Sequence, residues 1–403
     1  MRAKRVTATA VGVVSGLGLL VSTGGPASAA TLKLNKPILI AGAYSTAGYD
    51  VASINDYDYG VKLAIAQINQ AGGIGGQKIT YVQKPVSTLN LTEDVGQFLG
   101  LVQDNPTAII GLPAVSQMSP LQSQINKAKI PILTPTPSSQ ETLYGGPQGS
   151  QYVWFMPAPS SAVTGAAVQY FHKSLHLNKL GIMGTDESYG MGSGQLTQTE
   201  MSKEGLKPVA VKYHATTASD LTATILAEKS AGATGILDWD YPNPLAVLLK
   251  QAPQNGLTVP IISGASANIV VENKLVSDDE IGNLYVSQPC DPVATGNSPA
   301  LTKFAKTYQS TYHATPSSEA AGSYDAVYVI KAAIEKAKSE TPQKINAAMN
   351  GITVTGAQGA VCDANYHADG AHQLDHTVTI SKFNTDGTDH KVQQIQTPMI
   401  PKQ

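Results

Sequence analysis

Apolar and polar positions alternate along the chain in two rhythms that succeed one another. Short apolar runs closed by glycine or polar residues read as buried strands: Pro37-Ile-Leu-Ile-Ala-Gly42, Lys78–Val82, Ala108–Gly111 and Pro131–Thr134. Segments with a 3.6-residue period lie between them. The first carries Gly60, Ala64, Ile65 and Ile68 on one face and stops at Gly72-Gly73. The second is Glu93–Val102, capped by Thr92, and the third is Ser119–Ala128. The rhythm continues through strands at Leu180–Met183, Val209–Tyr213, Gly235–Trp239, Val259–Ser263 and Asn283–Ser287, with helices such as Ser161–Ser174 and Pro244–Gln251 between them.

Strands alternating with helices of this length predict parallel sheets covered on both faces. One sheet rarely takes so many strands, so the prediction is an α/β chain of two doubly wound parallel-sheet lobes. Helices dominate after Ser298, at Leu301–Tyr312, Glu319–Ser339 and Thr341–Met349, before strand-like runs such as Thr377–Ser381. This ordering suggests several crossovers in the hinge. The expected divisions are 30–156 with 289–357 for the first lobe, and 157–288 with 358–403 for the second.

The first residues follow neither rhythm. Arg2, Lys4 and Arg5 precede an apolar, small-residue stretch that ends in Pro26-Ala27-Ser28-Ala29-Ala30, the pattern of a secretory signal peptide cut after residue 29. No cysteine follows that stretch, so the expected product is exported, periplasmic or extracellular, and not lipid-anchored. Export gives meaning to the only two cysteines, Cys290 and Cys362, which are expected to pair in an oxidising compartment.

Charge excludes one class of partner. Lys and Arg number 27 against 29 Asp and Glu, far from the basic footprint of a nucleic-acid binder. Catalytic motifs are also missing: Ser193 lies in Gly-Met-Gly-Ser-Gly, which is not the nucleophile elbow, and there is neither a P-loop nor H-E-x-x-H. No enzyme activity and no cofactor are expected. A remote alternative is metal binding through the segment Cys362–His376, where Cys362, Asp363, His367, His372 and His376 fall close together.

The segment Ile68-Asn-Gln-Ala-Gly-Gly-Ile-Gly-Gly-Gln-Lys-Ile79 resembles the I-N-x-x-G-G-I-x-G-x-x-I stretch of type I periplasmic solute-binding proteins, the branched-chain amino-acid (Leu/Ile/Val) binders of ABC importers. Further matches follow in order: Ile109-Ile-Gly111 before Ser116, Ile130–Pro135 before a Thr/Ser-rich loop, Asp186-Glu-Ser-Tyr-Gly-Met-Gly192, Asp220-Leu-Thr, and Tyr324-Asp-Ala326. The resemblance implies capture of a small molecule in an interlobe cleft, followed by delivery to permease subunits with their ATPase, by a monomer. A soluble sensor docking on a membrane receptor is the alternative on the same fold.

In open α/β sheets ligands bind beyond the carboxyl ends of strands. The loops to inspect are therefore Ala43–Gly48, Leu112–Ser119, Thr134–Ser139, Thr185–Gly190, Asp238–Tyr241 and Gly264–Asn268, rich in neutral donors. The resemblance assigns Ser116 and Ser138 to a ligand carboxylate, places Tyr44, Ser45 and Thr136 along the first-lobe wall, and has Tyr189 and Tyr241 close from the second lobe. Two departures stand out. Val115 occupies the position where the family often has a serine, and Ser266 stands where amino-acid binders carry a glutamate for the ligand ammonium. Either Asp238 or Asp240 supplies that charge, or the ligand has no ammonium; the second is the expectation, a neutral or anionic metabolite, with 17 tyrosines and Trp239 pointing to an aromatic one.

Overall fold

The computed structural model describes residues 32–45, 54–86, 91–112, 115–136, 149–362 and 366–396. The export segment predicted for residues 1–29, the loop bearing Ser138, and Asp363 lie outside the described residues. The first apolar runs become β1 (Ile38–Ser45), β2 (Ile79–Val86), β3 (Ala108–Gly111), β4 (Ile132–Thr134) and β5 (Val153–Phe155). All pair in parallel, in the order β2-β1-β3-β4-β5. Their apolar runs are continuous because both faces are covered. On one face Ile38, Ile40 and Ile110 meet Val61 and Ala64 of the helix Ile54–Gln70 and Val327 and Ile330 of the helix Ser318–Ala337. On the other, Ala41, Ile109 and Ile132 meet Phe98, Leu121 and Ile125. The helix Ile54–Gln70 ends where expected, because Gly72 and Gly73 take positive φ and release the chain toward β2.

A second sheet is built on the same plan. It contains β6 (Leu180–Thr185), β7 (Val211–His214), β8 (Gly235–Trp239), β9 (Ile261–Ser263) and β10 (Leu284–Gln288). A two-stranded ribbon, β11 (Thr353–Val354) with β12 (Tyr366–His367), precedes β13 (Thr377–Phe383) and β14 (Asp389–Gln396). The sheet order is β14-β13-β10-β9-β8-β6-β7. Its parallel part, β7-β6-β8-β9-β10, repeats the order of the first sheet, and β13 and β14 extend it antiparallel. Each sheet thus has a switch point where the order reverses, between β1 and β3 and between β6 and β8.

Element boundaries differ from the sequence reading where tertiary context overrides local signals. The third helix begins at Val115 rather than Ser119, so Pro120 lies inside it and Ser116 stands in its first turn instead of in a loop. The helix expected to start after a Thr92 cap begins at Leu91. The helix expected over Ser161–Ser174 is α-helical only over Ser160–Gln169, then widens to a π turn over Tyr170–Ser174, closed by Leu175 N–H on Tyr170 C=O at 3.1 Å.

The chain passes between the two sheets more than once. After β5 it enters the helix Ser160–Gln169, whose Ala162, Ala166 and Val168 pack on the second sheet with Ile182, Leu237 and Ile380. After β10 it returns, and Cys290 is already part of the first core. Ala360, Val361, Cys362, Tyr366, Ala368 and Leu374 also belong to that first core, so residues 358–374, expected with the second lobe, pack with the first. The polar look of this segment misleads because several of its polar groups are bonded within the fold. Asp325 accepts Val361 N–H at 2.7 Å, Cys362 N–H at 3.0 Å and the Tyr366 hydroxyl at 2.8 Å. Gln373 Nε2 donates to the carbonyls of Phe155, Pro157 and Asp375, bracing the first and last crossings together. Cys290 and Cys362 form a disulfide with Cα atoms 5.7 Å apart, joining the middle crossing to the same segment.

Candidate functional site

The switch point of the second sheet is described in most detail. β6 ends at Thr185, and Glu187 caps the helix Ser188–Lys203 that follows. The Glu187 carboxylate accepts Tyr189 N–H at 2.8 Å, Gly190 N–H at 2.9 Å and the Thr185 hydroxyl at 2.7 Å. An acceptor carboxylate at a helix start satisfies orphan donors and faces the positive end of the dipole. Position 190 admits only glycine without displacement, since a Cβ there would lie 2.2 Å from the Thr185 carbonyl. This close approach of helix and strand fixes Tyr189 in the first turn. Its ring lies 5.4 Å from that of Tyr241, which caps the helix Pro242–Gln254 after β8. The Tyr241 hydroxyl reaches Glu187 Oε2 at 3.5 Å.

Between these tyrosines and the sheet lie two aspartates. Asp238 and Asp240 are two positions apart at the end of β8 and are both 0 % exposed. Asp238 Oδ2 accepts the Ser263 hydroxyl of β9 at 3.2 Å and Asp240 N–H at 3.3 Å. Asp240 Oδ2 lies 3.0 Å from His214 Nε2 at the end of β7. Each carboxyl keeps its Oδ1 buried without a hydrogen-bond partner among the described residues. Burial, then the neighbouring Asp240, holds Asp238 well above the usual carboxylate range, and burial pushes Asp240 up to about 7. Desolvation lowers His214, which favours a neutral imidazole. The arrangement is therefore a carboxyl pair in which Asp238 keeps its proton at neutral pH while Asp240 is about half ionised, each with one oxygen lacking a hydrogen-bond partner among the described residues.

The remaining candidates spread over other strand ends. Ser266 is the first residue of the helix Ser266–Glu272 after β9 and is 8 % exposed, while Asn268 in the same helix buries an Oδ1 without a partner among the described residues. In the first sheet, Tyr44 lies near the end of β1 with its ring stacked on Tyr57 at 5.3 Å, and is buried. Ser45 closes β1, and Ser116 stands at the start of the helix Val115–Ala128, in the adjoining corner of the switch point. The Thr136 hydroxyl is 3.4 Å from that of Thr134 beyond β4. The structure brings together Tyr189, Asp240 and Tyr241. His214 and Glu187 were missed as site residues; applying the strand-end rule to every strand of the sheet, β7 included, would have found the histidine.

The Cys362–His376 segment is arranged differently from a metal centre. Cys362 is bonded to Cys290, His372 stacks on Trp154 at 3.7 Å with Nδ1 3.0 Å from the Val153 carbonyl, and His367 Nδ1 meets the Thr353 hydroxyl at 2.8 Å. Among the described residues no group of three or more His, Cys, Asp or Glu side chains is placed to hold a metal ion.

Repeated switch points with polar strand ends are what a two-lobed binding protein requires, and a family profile decides the matter. The profile of the periplasmic binding protein family matches residues 37–388. The chain belongs to the periplasmic binding protein family. Two curated relatives of this family member are a Leu/Ile/Val-binding protein homolog 7 of Brucella melitensis, 23% identical over 75% of this chain and 78% of the relative, and a homolog 8 of Brucella suis, 22% identical over 88% and 89%. Among solved structures, the branched-chain amino acid transporter substrate binding protein LivJ of Streptococcus pneumoniae, in complex with isoleucine, superposes with a TM-score of 0.72 at 20% identity, over 89% of this chain and 99% of that one. An ABC transporter substrate-binding protein of Sphaerobacter thermophilus reaches 0.78 at 15% identity, over 91% and 100%. At these identities the superpositions establish the shared fold. Among the described residues no helix is long and apolar enough to cross a membrane.

Proposed function

We propose that this periplasmic binding protein is exported, captures a small polar metabolite between its two sheets, and presents the closed form to an ABC permease and its ATPase. The observation that carries the reading is the matched pair of switch points, with Ser45 and Ser116 at one and Tyr189, Asp240 and Tyr241 at the other. Ligands of open α/β sheets lie in such crevices. Two sheets joined by several crossings, two of them braced by Gln373, form a hinge whose closure a ligand touching both lobes would favour. The chain works as a monomer, its first lobe built from 30–156 and 289–374 and its second from 157–288 and 375–403. Relatives named for leucine, isoleucine and valine support an amino acid or a related compound as the solute.

The test is a thermal-shift and titration screen of the full mature chain against amino acids, aromatic acids, amides and small polyols. A true ligand raises the melting temperature in proportion to the logarithm of its concentration over Kd, by stabilising only the folded state. Lost affinity in Tyr189→Ala would assign the second-lobe wall; unchanged affinity would remove that wall from the site. A screen with no stabilising compound would overturn the solute-binding role.

A further inference from the structure

Two glycines at close approaches, Gly60 and Gly190, make room for backbone, since a Cβ would strike the carbonyls of Ala320 and Thr185 respectively. Gly264, which follows β9, makes room for a side chain instead. Its φ lies outside the left-handed region, so its conformation does not itself demand glycine. A Cβ there would stand 2.8 Å from the Tyr189 hydroxyl and 3.9 Å from the Trp239 ring, its nearest described neighbours outside the adjoining chain. Gly42 and Gly194 also face tyrosine hydroxyls, but those tyrosines, Tyr81 and Tyr213, stand within β2 and β7. Tyr189 stands in a helix turn beyond the end of β6.

Three elements limit where Tyr189 can go. Glu187 accepts its N–H at 2.8 Å, and the close approach of Gly190 to Thr185 fixes the turn that carries it. Tyr241 flanks its ring at 5.4 Å, and the buried Trp239 closes the sheet side beside Gly264. Burial, then the neighbouring Asp238, raises the Tyr189 hydroxyl far above its ordinary value, so it stays protonated. The direction left to the ring is the crevice beyond the strand ends, where ligands of such sheets lie.

We propose that Gly264 is a positioning residue for solute binding: the absence of a side chain there seats the Tyr189 hydroxyl against the end of β9 and sets how far the second-lobe wall stands back from the crevice. The inference rests on the solute-binding reading above and deepens it by naming what fixes the width of the site. An added methyl cannot share space with the hydroxyl oxygen, and packed interiors answer overfilling by driving the more movable side chain off its rotamer. Here that side chain is Tyr189, which swings toward the crevice and narrows it. Removing the hydroxyl should therefore make room for the methyl.

The experiment compares the full mature chain with Gly264→Ala, Tyr189→Phe and the double variant, each checked for folding by circular dichroism. Without any added compound, Gly264→Ala should lower the urea midpoint, and the same change in the Phe background should lower it by less than half as much. Equal losses in both backgrounds overturn the seat. If Gly264→Ala alone does not fold, recovery of folding in the double variant supports the seat, and failure of both overturns it. The binding probes are the twenty L-amino acids and a panel of aromatic carboxylic acids, followed by titration calorimetry. For a probe that the wild-type chain binds, Gly264→Ala should raise Kd about tenfold or more, and the same change in the Phe background should move it by less than about threefold. Unchanged affinity in folded Gly264→Ala, or a loss of equal size in both backgrounds, overturns the positioning role while leaving the solute-binding role intact. Binding of none of the probes by the wild-type chain overturns the solute-binding reading and the role in binding together, and the urea comparison still decides whether the hydroxyl sits on Gly264.

Discussion

Asp325 and Asp238 are equally buried, and burial raises both above the usual carboxylate range, but their surroundings are opposite. Asp325 lies in the helix Ser318–Ala337 and anchors the segment that ties the crossings together, whose two backbone N–H groups and Tyr366 hydroxyl converge on it. Asp238 sits at a switch point and receives one hydroxyl and one distant N–H, with Oδ1 left over. Burial alone therefore does not mark a functional acid. What separates the two is whether the fold itself uses up the acceptor capacity, and four experiments can break or sharpen that distinction.

The largest effect is expected at the structural segment. The disulfide closes a loop with a sequence separation of 72 residues, for which chain-entropy reasoning gives about 4 kcal/mol. Reduction, or Cys290→Ser with Cys362→Ser, should lower the denaturant midpoint accordingly and leave any ligand's Kd in the folded state within about threefold. A midpoint unchanged by reductant would remove the disulfide from the account of this region.

Next comes Asp325→Ala, which strands two backbone donors and a tyrosine hydroxyl in the first core. We expect a loss of about 3 kcal/mol, measured by urea unfolding, with Asp325→Asn recovering part because it retains one acceptor oxygen. The sequence placed Asp325 in its helix, Ser318–Ala337, but not the segment that it anchors. Strands such as Gly235–Trp239 and the order of strands and helices were legible, because continuous apolar runs and glycine stops act locally. The 358–374 segment was not, because its Asp, Gln and His residues look solvated until Asp325, Phe155 and Trp154 arrive from over 30 residues away or more. Tyr189, Asp240 and Tyr241 were legible as strand-end residues, while His214 followed a strand with no motif to announce it. The disulfide was legible because the chain has only two cysteines and the expectation of export favours their pairing.

A smaller effect concerns pH. Asp325 and Asp375 are pushed up to about 7 and Asp389 to about 9, burial being the main cause in each. An acid raised in the folded state binds protons that the unfolded chain has lost, so its stabilising contribution is complete below about pH 4 and disappears as pH rises through the folded value. His214 and His376 act in the opposite sense, but only below about 6.5, since desolvation keeps them neutral when folded. Between pH 6.5 and 9 the carboxyl contribution therefore stands alone, and the melting temperature should fall steadily. Asp389→Asn should flatten the upper part of that fall, between about pH 7.5 and 9. A melting temperature that rises across this window would mean that these carboxyls are ionised in the fold.

The smallest expected effect falls on the switch-point pair. Asp238→Asn in the ligand-free chain removes a carboxyl that must be kept protonated and replaces it with a neutral amide of the same shape. The amide oxygen can still accept the Ser263 hydroxyl, so the fold loses little while the like-charge problem with Asp240 disappears. Stability should change by less than about 1 kcal/mol, and a slight gain is consistent with the general observation that buried functional polar groups are held at some cost to the fold. Asp240→Asn tests the same point from the other side, with the contacts to His214 and to Asp238 at stake. The comparison between the two regions then has a sharp form. If Asp238→Asn destabilises the empty chain as much as Asp325→Ala does, the β8 pair is a structural anchor like Asp325, and its unpartnered oxygens say nothing about a ligand. If it leaves stability in place, folding does not draw on the pair's reserve of acceptor capacity.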